Sequence, residues 1–567
     1  MSERMGFAGF GFIAALGLGA PACAPAKLIA GGDSHELRKG AERTAPTSPS
    51  PRSKLLFLPI DGVDRRLLYE MLRAGELPAF ARLLGGEGTG DRAKFEHAYF
   101  DDTLLATMPS STMAAWVTAL TGVGPARHGV AGNEFFIRET LQFAAPGPVS
   151  FSDSAPVAAI YTDGYLNKLS LAPSVYERMR ETDPNVLIWV AMHHYYAGAD
   201  RTLTPRPTVL AQAFEGFVAD AVTKVTKKKQ TRAVYEALDT EEISVVTAAL
   251  EKGPVPDVLT VYLSGTDLYG HVADEGPDRA RRSYLREVVD PQLARLTERL
   301  LARDALKDRY VVVTSDHGHT EVLHDEAHAL GSKDEIGPHA LLDRAGFRVR
   351  ARTLDVPKKA DFQSVVAFGG ALAYVYLADR SGCAKPKETC DWSKPPRYEE
   401  DVLPAAEAFF KNNVDGSIVP VMKDKIDMVL TRRPRPYVED DLPFGVYVGG
   451  GKVVAIEAYL KEHPHPTYIE TASRLRDLAV GPHGERAGDV LLIAHNGDRE
   501  TPEERYYFAS VYRSWHGSPS KKDSEIPLIV AHPAHATAAL EARVKKSLAG
   551  EPRQAKVADV LLDLRGR

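Results

Sequence analysis

The chain has 567 residues, of which 44% are hydrophobic and 26% are charged, a composition typical of globular proteins. This length allows two or more average domains, or one large α/β domain with insertions. A formal net charge of -6 argues against a protein whose main partner is nucleic acid. The dense basic run around Lys227 is interpreted as a solvated helix face or loop.

The first residues have the features of an export signal. Arg4 supplies positive charge, and the apolar stretch after it is shorter than the ~20 residues of a membrane span. Cleavage before Cys23 would leave a cysteine for lipid attachment, whereas an ordinary signal peptidase would cut after Ala22 or Ala26 without adding a lipid. The sequence therefore predicts an exported protein, either periplasmic or anchored to the membrane as a lipoprotein.

Composition and pattern predict five segments along the chain. Residues 1–26 form the signal, and the polar, Pro/Ser-rich residues 27–53 form a disordered tether. Residues 54–334 form the first part of the core, and residues 486–567 complete it. The less regular residues 335–485 are expected to be an insertion, or cap, packed near the functional site.

The three cysteines fit an exported protein. Cys383 and Cys390 are seven residues apart, with Pro and Gly nearby, and are expected to close a small disulfide loop. The alternative is that both thiols are free. A Cys383–Cys390 pairing would leave Cys23 for lipid attachment or for removal with the signal.

Continuous apolar runs alternate with helical patterns through most of the chain. Such runs are typical of parallel strands that are buried on both faces, and the alternation predicts an α/β fold with a mainly parallel sheet flanked by helices. The predicted strands are KLLFLPI before Asp61, VLIWVAM around Trp189, DVLTVYL (257–263), YVVVT (310–314), DVLLIA (489–494) and IPLIVA (526–531).

Three carboxylates directly follow predicted strands. They are Asp61, Asp267 and Asp316, and parallel sheets bind ligands beyond the carboxyl ends of their strands. A lone acidic residue at such a point is usually a helix cap or turn former. Three of them, two with nearby histidines, favour a functional site at which they converge.

The histidines near these carboxylates suggest metal binding. Asp267 and His271 are four residues apart, so a helical turn would place both on one face. Asp316 and His317 are adjacent at a strand end, where the chain turns and both can meet one ion. Mixed carboxylate and imidazole ligands suit zinc or another first-row divalent ion.

A hydroxyl-rich segment precedes an apolar helix around Thr112. The sequence MPSSTMAAWVTALTG predicts a helix with Thr112 in its first turn, close to backbone donors and the positive end of the helix dipole. Thr112 is therefore a candidate nucleophile that a metal would have to activate. The alternative is that Ser110, Ser111 and Thr112 only cap the helix, and the segment alone does not decide between the two.

Together these motifs resemble the alkaline phosphatase superfamily, and most closely its type I phosphodiesterase/nucleotide pyrophosphatase branch. That branch has Pro-x-x-Thr, then Thr-Gly, then His-Gly and Asn, with the metal ligands in the same order. The matching positions here are Pro109, Thr112, Thr121-Gly122, His128-Gly129 and Asn133. The resemblance covers about 54–335 and returns around 487–535.

The resemblance implies a two-metal hydrolase that cleaves phosphodiester or pyrophosphate bonds through a phospho-threonine intermediate. Thr112 would be the nucleophile, Asn133 would donate to a phosphate oxygen, and the backbone N–H of Thr112 or Met113 would assist. His128 is expected to pack structurally. Both metals are usually zinc; one would be held by Asp61, Thr112, Asp316 and His317, and the other by Asp267, His271 and His516.

The sequence departs from the branch near the expected substrate. Met113 stands where nucleotide pyrophosphatases commonly place Phe, which puts a nucleotide substrate in doubt. His193 and His194 occupy the stretch where related phosphomonoesterases carry a Lys and an Arg, which favours diesters; both histidines either contact substrate or simply pack. His319 is expected to lie behind the ligands or to be merely local. The alternatives are a phosphomonoesterase of this fold and, less favoured, a catalytically dead binding module.

Overall fold

The computed structural model describes residues 48–86, 95–150, 155–222, 232–434 and 442–566. The predicted signal, most of the tether and the basic run at Lys227 lie outside the described residues. No helix within these ranges is long and apolar enough to cross a membrane.

The described residues form seventeen strands and nineteen α-helices, with short 3-10 and π segments between some of them. The strands are β1 Lys54–Pro59, β2 Ala98–Asp101, β3 Phe135–Ile137, β4 Gln142–Ala144, β5 Ile188–Ala191, β6 Arg201–Leu203, β7 Val258–Val261, β8 Arg309–Thr314, β9 Thr320–Glu321, β10 Ser364–Gly369, β11 Leu372–Leu377, β12 Ile426–Arg432, β13 Phe444–Tyr447, β14 Val453–Val454, β15 Val490–Ala494, β16 Ser514–Trp515 and β17 Leu528–Ala531.

The helices lie between these strands and after the last of them. They are α1 Arg65–Arg73, α2 Pro78–Leu83, α3 Thr112–Thr121, α4 Pro125–His128, α5 Ala155–Asp163, α6 Tyr165–Leu169, α7 Val175–Thr182, α8 Pro207–Val222, α9 Ala233–Lys252, α10 Gly265–Val272, α11 Pro277–Tyr284, α12 Asp290–Ala302, α13 Pro338–Arg344, α14 Leu403–Asp415, α15 Ile456–Glu462, α16 Thr471–Ala479, α17 Lys521–Ser524, α18 Thr537–Leu548 and α19 Lys556–Arg565.

A seven-stranded, mostly parallel sheet forms the centre of the molecule, in the order β2-β17-β8-β1-β7-β5-β6. Its strands β8, β1, β7, β5 and β6 run parallel, and β17 runs antiparallel to both of its neighbours. Five of the predicted apolar runs form β1, β5, β7, β8 and β17. The α/β prediction is therefore confirmed, because runs buried on both faces require helices to cover a parallel sheet.

A second sheet of six antiparallel strands has the order β10-β11-β15-β12-β13-β14. The run DVLLIA supplies its strand β15 instead of joining the parallel sheet. An apolar run indicates a strand that is buried on both faces. Both sheets of this molecule contain such strands, so the pattern alone does not predict which strands it pairs with. The structure also joins Cys383 and Cys390 in a disulfide within this half of the chain.

The parallel strands end at one edge of the central sheet, and this edge carries the candidate site. Asp61 follows β1, Asp267 lies in α10 just beyond β7, and Asp316 follows β8. These three strands are direct neighbours, with β1 between the other two. The two-stranded ribbon of β9 and β16 closes over the same edge and pairs Trp515 with Thr320.

Candidate active site

The three predicted carboxylates converge around one buried imidazole. Nε2 of His317 lies 3.2 Å from Asp316 Oδ2, 3.6 Å from Asp61 Oδ1 and 4.0 Å from Asp267 Oδ1. All four side chains are buried. Asp61, Asp316 and His317 place one ligand atom each within 4.8 Å of one another, so they form a group that could hold an ion.

A second group of the same kind lies beside the first. Asp267 and His271 are one turn apart on α10, and His271 Nε2 lies 3.4 Å from Asp267 Oδ1. His516, which follows β16, completes the group, and its ring stacks on that of His317 with centroids 3.5 Å apart. The structure thus brings the six predicted Asp and His side chains together, and a third, overlapping group of Asp267, His317 and His319 connects the two.

The hydrogen bonds of the histidines fix which ring nitrogen is bare. In each of the three, Nδ1 donates to a backbone carbonyl, which can only accept, so a neutral ring leaves its Nε2 lone pair directed into the site. Burial lowers the pKa of His317 to about 3 and that of His516 well below its ordinary value. The three bonds are His271 to Ser514 O at 2.6 Å, His317 to Gly318 O at 3.0 Å and His516 to Ser110 O at 2.8 Å.

Two carboxylate oxygens in the site lack hydrogen bonds. Asp61 Oδ1 and Asp316 Oδ2 are buried without a partner among the described residues. Burial, together with the neighbouring charge of Asp316, raises the pKa of Asp61 well above its ordinary value, and burial raises that of Asp316 to about 7. Unprotonated imidazole nitrogens and unpaired carboxylate oxygens that face one another form a donor set that fits divalent metal ions.

Thr112 lies beside the first group of ligands. It is the first residue of α3, and its Oγ1 lies 3.2 Å from His317 Nε2. The preceding N-cap, Ser111, makes no capping hydrogen bond, and Ser110 donates to Ser518 O at 3.2 Å instead. The alternative in which these hydroxyls only cap the helix is therefore wrong, because none of the three satisfies a free N–H of α3.

Asn133 is held by the same helix. Its Oδ1 accepts a hydrogen bond of 3.0 Å from the backbone N–H of Met113, which leaves the amide Nδ2 as the donating end. Both side chains line the cavity that contains Thr112. Of the two backbone amides expected to assist, that of Met113 is already engaged, so only the Thr112 amide remains for a substrate.

Three other histidines singled out from the sequence have separate roles. His128 packs structurally, as predicted, with Nε2 at 2.9 Å from Thr118 Oγ1. His193 is buried and accepts from the backbone N–H of Tyr195, whereas His194 lines the cavity and packs its ring against Tyr262. Only His194 of this pair therefore faces the space open to a substrate.

Two residues that the sequence analysis did not assign to the site, or assigned only to its surroundings, form hydrogen bonds with candidate metal ligands. Tyr262 donates a hydrogen bond to Asp61 Oδ2. His319 Nε2 lies 2.7 Å from Asp267 Oδ1. In the sequence, Tyr262 lies near the end of the apolar run DVLTVYL, and His319 lies two residues after His317. These positions were the signals that could have identified both residues.

A partly open cavity adjoins the two candidate ligand groups. Asp61, Asp267, His271, His516 and Thr112 form one wall of it. The rest of the described lining is largely apolar, and no Lys, Arg, Glu or Gln belongs to it. Beyond these residues, Met113 and Asn133, the lining residues are Gly147, Pro148, Val149, Val157, His194, Phe214, Tyr262, Ser264, Leu268 and Trp515.

A further Asp/His cluster lies in the six-stranded sheet, but it differs from the site in its charge balance. Asp427, His495 and Asp498 place ligand atoms within 4.8 Å of one another. There, Arg499 lies 3.2 Å from Asp498 Oδ2, and its Nη2 lies 3.0 Å from His495 Nε2. A guanidinium thus already supplies the positive charge that the carboxylates of this cluster need.

Comparison with known sequences identifies the family. The type I phosphodiesterase/nucleotide pyrophosphatase family matches residues 55–391, which is more than half of the chain. The chain belongs to this family. It is accordingly a hydrolase of the phosphodiesterase/pyrophosphatase class that acts on small phosphate esters and uses divalent metal ions. No curated protein gave a significant match.

Three solved structures give an indication of similar shapes. Murine ectonucleotide pyrophosphatase/phosphodiesterase 5 matches with a TM-score of 0.46 and 12% identity, over 90% of this chain and 94% of that chain. An inactive variant of the murine protein in complex with AMP gives the same values. The human protein matches with a TM-score of 0.48 at the same identity and coverage.

Proposed function

We propose that this chain cleaves phosphodiesters by transferring the phosphoryl group to Thr112. The observation that carries the proposal is the position of Thr112 Oγ1, 3.2 Å from His317 Nε2, where the two ligand groups meet. The hydroxyl lies at the start of a helix, is free of a capping role, and lines the cavity.

The proposed ligand sets use side chains from five segments of the chain that meet at the sheet edge. Zinc suits them, because it binds imidazole nitrogen and carboxylate oxygen together. Two bound ions would supply Lewis-acid stabilisation of the attacking and leaving oxygens. One ion would be held by Asp61, Thr112, Asp316 and His317, and the other by Asp267, His271 and His516.

In the proposed reaction, Thr112 is the nucleophile, and Asn133 and a backbone amide bind the phosphate oxygens. Thr112 Oγ forms a bond to phosphorus as the bond to the leaving alkoxide breaks, and the alcohol departs with a proton. Water then attacks the phospho-threonine, which restores the Thr112 hydroxyl and releases a phosphate monoester. Asn133 Nδ2 donates to a non-bridging oxygen, and the Thr112 amide at the start of α3 adds a second donor.

The charge of the cavity favours diesters over monoesters. A monoester carries one more negative charge than a diester, and no Lys or Arg is present among the described lining residues to balance it. His194 does not replace such a cation at neutral pH, because burial lowers its pKa to about 4. This charge balance distinguishes the proposal from the phosphomonoesterase alternative.

The apolar lining favours an ester group that is itself apolar. Val149, Val157, Phe214 and Leu268 offer no hydrogen bonds with which to select ribose hydroxyls or the polar edges of a base. Met113 adds an adaptable thioether where a stacking ring would favour nucleotides. We therefore expect aryl and alkyl phosphodiesters to be better substrates than dinucleotides.

Turnover of bis-p-nitrophenyl phosphate against p-nitrophenyl phosphate tests the proposal. The zinc-loaded protein should prefer the diester, and Thr112→Ala should lose at least about 10³-fold in kcat while still binding two equivalents of zinc. Thr112→Ser is the matched control, since it keeps a hydroxyl and should retain measurable turnover. A monoester preference would select the phosphomonoesterase, and full activity of Thr112→Ala would exclude the nucleophile assignment.

We also propose that the protein is exported, on the basis of the charged and apolar pattern of its first residues. The Cys383–Cys390 disulfide supports this, since such bonds persist in oxidising compartments. If Cys23 is lipidated, the wild-type protein will be found in the membrane fraction, whereas the Cys23→Ala variant will be found in the soluble exported fraction. Equal amounts of both in the soluble exported fraction would contradict the lipid anchor.

A further inference from the structure

Three imidazoles surround a single oxygen of Asp267, and they do so at unequal distances. His319 Nε2 is 2.7 Å from Oδ1, His271 Nε2 is 3.4 Å from it, and His317 Nε2 is 4.0 Å from it. Two atoms bound to one tetrahedral zinc at ~2.0–2.1 Å lie about 3.3 Å apart. The His271 distance matches that of two ligands of one ion, whereas the His319 distance is that of a hydrogen bond.

Ser514 accounts for the orientation of both nearer imidazoles. Its carbonyl accepts from His271 Nδ1, and its hydroxyl lies 2.9 Å from His319 Nδ1. A carboxylate oxygen can only accept, so the 2.7 Å contact places the His319 proton on Nε2, which donates to Asp267 Oδ1. The neutral ring then presents Nδ1 as an acceptor to the Ser514 hydroxyl, which is shared with the Gly270 carbonyl 2.9 Å from Ser514 Oγ. His271 has the opposite arrangement, so it presents a bare Nε2 to the site.

The pair of His319 and Asp267 is enclosed on the side of β1. Gly62 lies so close that an added Cβ would be 2.6 Å from His319 Nε2 and 2.8 Å from Asp267 Oδ1. The His319 ring is fully buried. A hydrogen bond in the low dielectric of a buried site is stronger than the same bond in water. This bond therefore holds the Asp267 carboxylate in one orientation.

We propose that His319 is a positioning residue that holds Asp267 in the orientation required of a metal ligand. The proposal rests on the proposed function, in which Asp267, His271 and His516 hold one ion. Residues that hydrogen-bond to metal ligands typically contribute 10–100-fold to metal affinity or activity. Loss of the His319 donor should therefore weaken the second site by about that factor and leave the first nearly unchanged.

Zinc affinity measured by competition with a chromophoric chelator tests this directly. His319→Met removes the donor and should weaken one of the two zinc equivalents about 10–100-fold. His319→Gln retains an amide donor and should recover part of that affinity. Ser514→Ala leaves the His271 carbonyl contact in place and should give an intermediate loss. His339→Gln, at a buried histidine on α13, is the matched control and should bind zinc as the wild type does.

The outcomes separate this inference from the proposed function. If His319→Met binds both equivalents with affinities within twofold of wild type, the positioning role is overturned. If X-ray absorption shows one fewer nitrogen ligand per two zinc ions in His319→Met, His319 is itself a ligand and the positioning role is again overturned. If Asp267→Asn leaves both affinities unchanged, the proposed metal site itself is wrong. Ser514→Ala provides the same test should His319→Met not fold.

Discussion

Replacement of Gly62 by alanine should strongly reduce activity, because the added methyl group would displace His319 and Asp267. Gly62 has a φ of +69°, and its added Cβ would lie 2.6 Å from His319 Nε2 and 2.8 Å from Asp267 Oδ1. Ordinary contact begins at 3.4 Å, so the pair must retreat by roughly 0.8 Å. A displacement of about 1 Å at reacting groups costs on the order of 10²-fold in rate.

The same substitution also has a stability cost with two separable parts. An alanine in the left-handed region costs about 1–2 kcal/mol, and overpacking of a filled interior adds about 1–3 kcal/mol. Gly450 is the matched control, because its φ is +60° and an added Cβ there meets nothing within 4 Å. Gly450→Ala should therefore show only the first part and keep full turnover.

The assay is kcat/KM for bis-p-nitrophenyl phosphate, with zinc content and the thermal midpoint measured on the same samples. Gly62→Ala should lose about 10²-fold in kcat/KM and unfold at a lower temperature than Gly450→Ala. If Gly62→Ala retains activity within threefold of wild type, the pair does not control the geometry of the site. Equal midpoints for the two variants would show that the close contact relaxes without cost.

Two further predictions concern buried groups near the site. Tyr262→Phe removes the donor to Asp61 and should lower metal affinity or kcat/KM about 10–100-fold, and values within twofold of wild type would contradict this. Burial raises the pKa of Asp239 to about 7, so the folded protein retains a proton that the unfolded chain releases near pH ~4. The wild type should therefore lose stability as pH rises from about 5 to 7, and Asp239→Asn should lose less over the same range because this one contribution is removed. Thermal midpoints at each pH check this, and a pH-independent difference between the two proteins would refute it.

The strands and the carboxylates that follow them could be predicted from the sequence because both depend on local pattern. Apolar runs such as KLLFLPI are long enough to indicate burial on both faces, and Asp61 directly follows that run. The strand DVLLIA shows the limit of this reasoning. Its apolar side chains suit a parallel or an antiparallel sheet equally well, and only pairing with residues far along the chain places it in the six-stranded sheet.

The helix at Thr112 shows a second limit. Its sequence is consistent with both a cap and a nucleophile, because a hydroxyl at a helix start can accept from a backbone N–H or face outward. The structure excludes the cap: His317, which is 205 residues away, faces Thr112 Oγ1, and Ser111 makes no capping hydrogen bond. No local pattern contains that information.

The sequence by itself determined the fold class and picked out the six Asp and His side chains and the hydroxyl that the structure brings together, since residue type and strand position suffice for these. Only the tertiary structure decided how the side chains are held. Backbone carbonyls of Ser110, Gly318 and Ser514 set the tautomers of three histidines, and the β9–β16 ribbon brings Ser514 to His319. These hydrogen bonds join residues that are far apart in the chain, and a local sequence pattern does not show which distant segments come into contact.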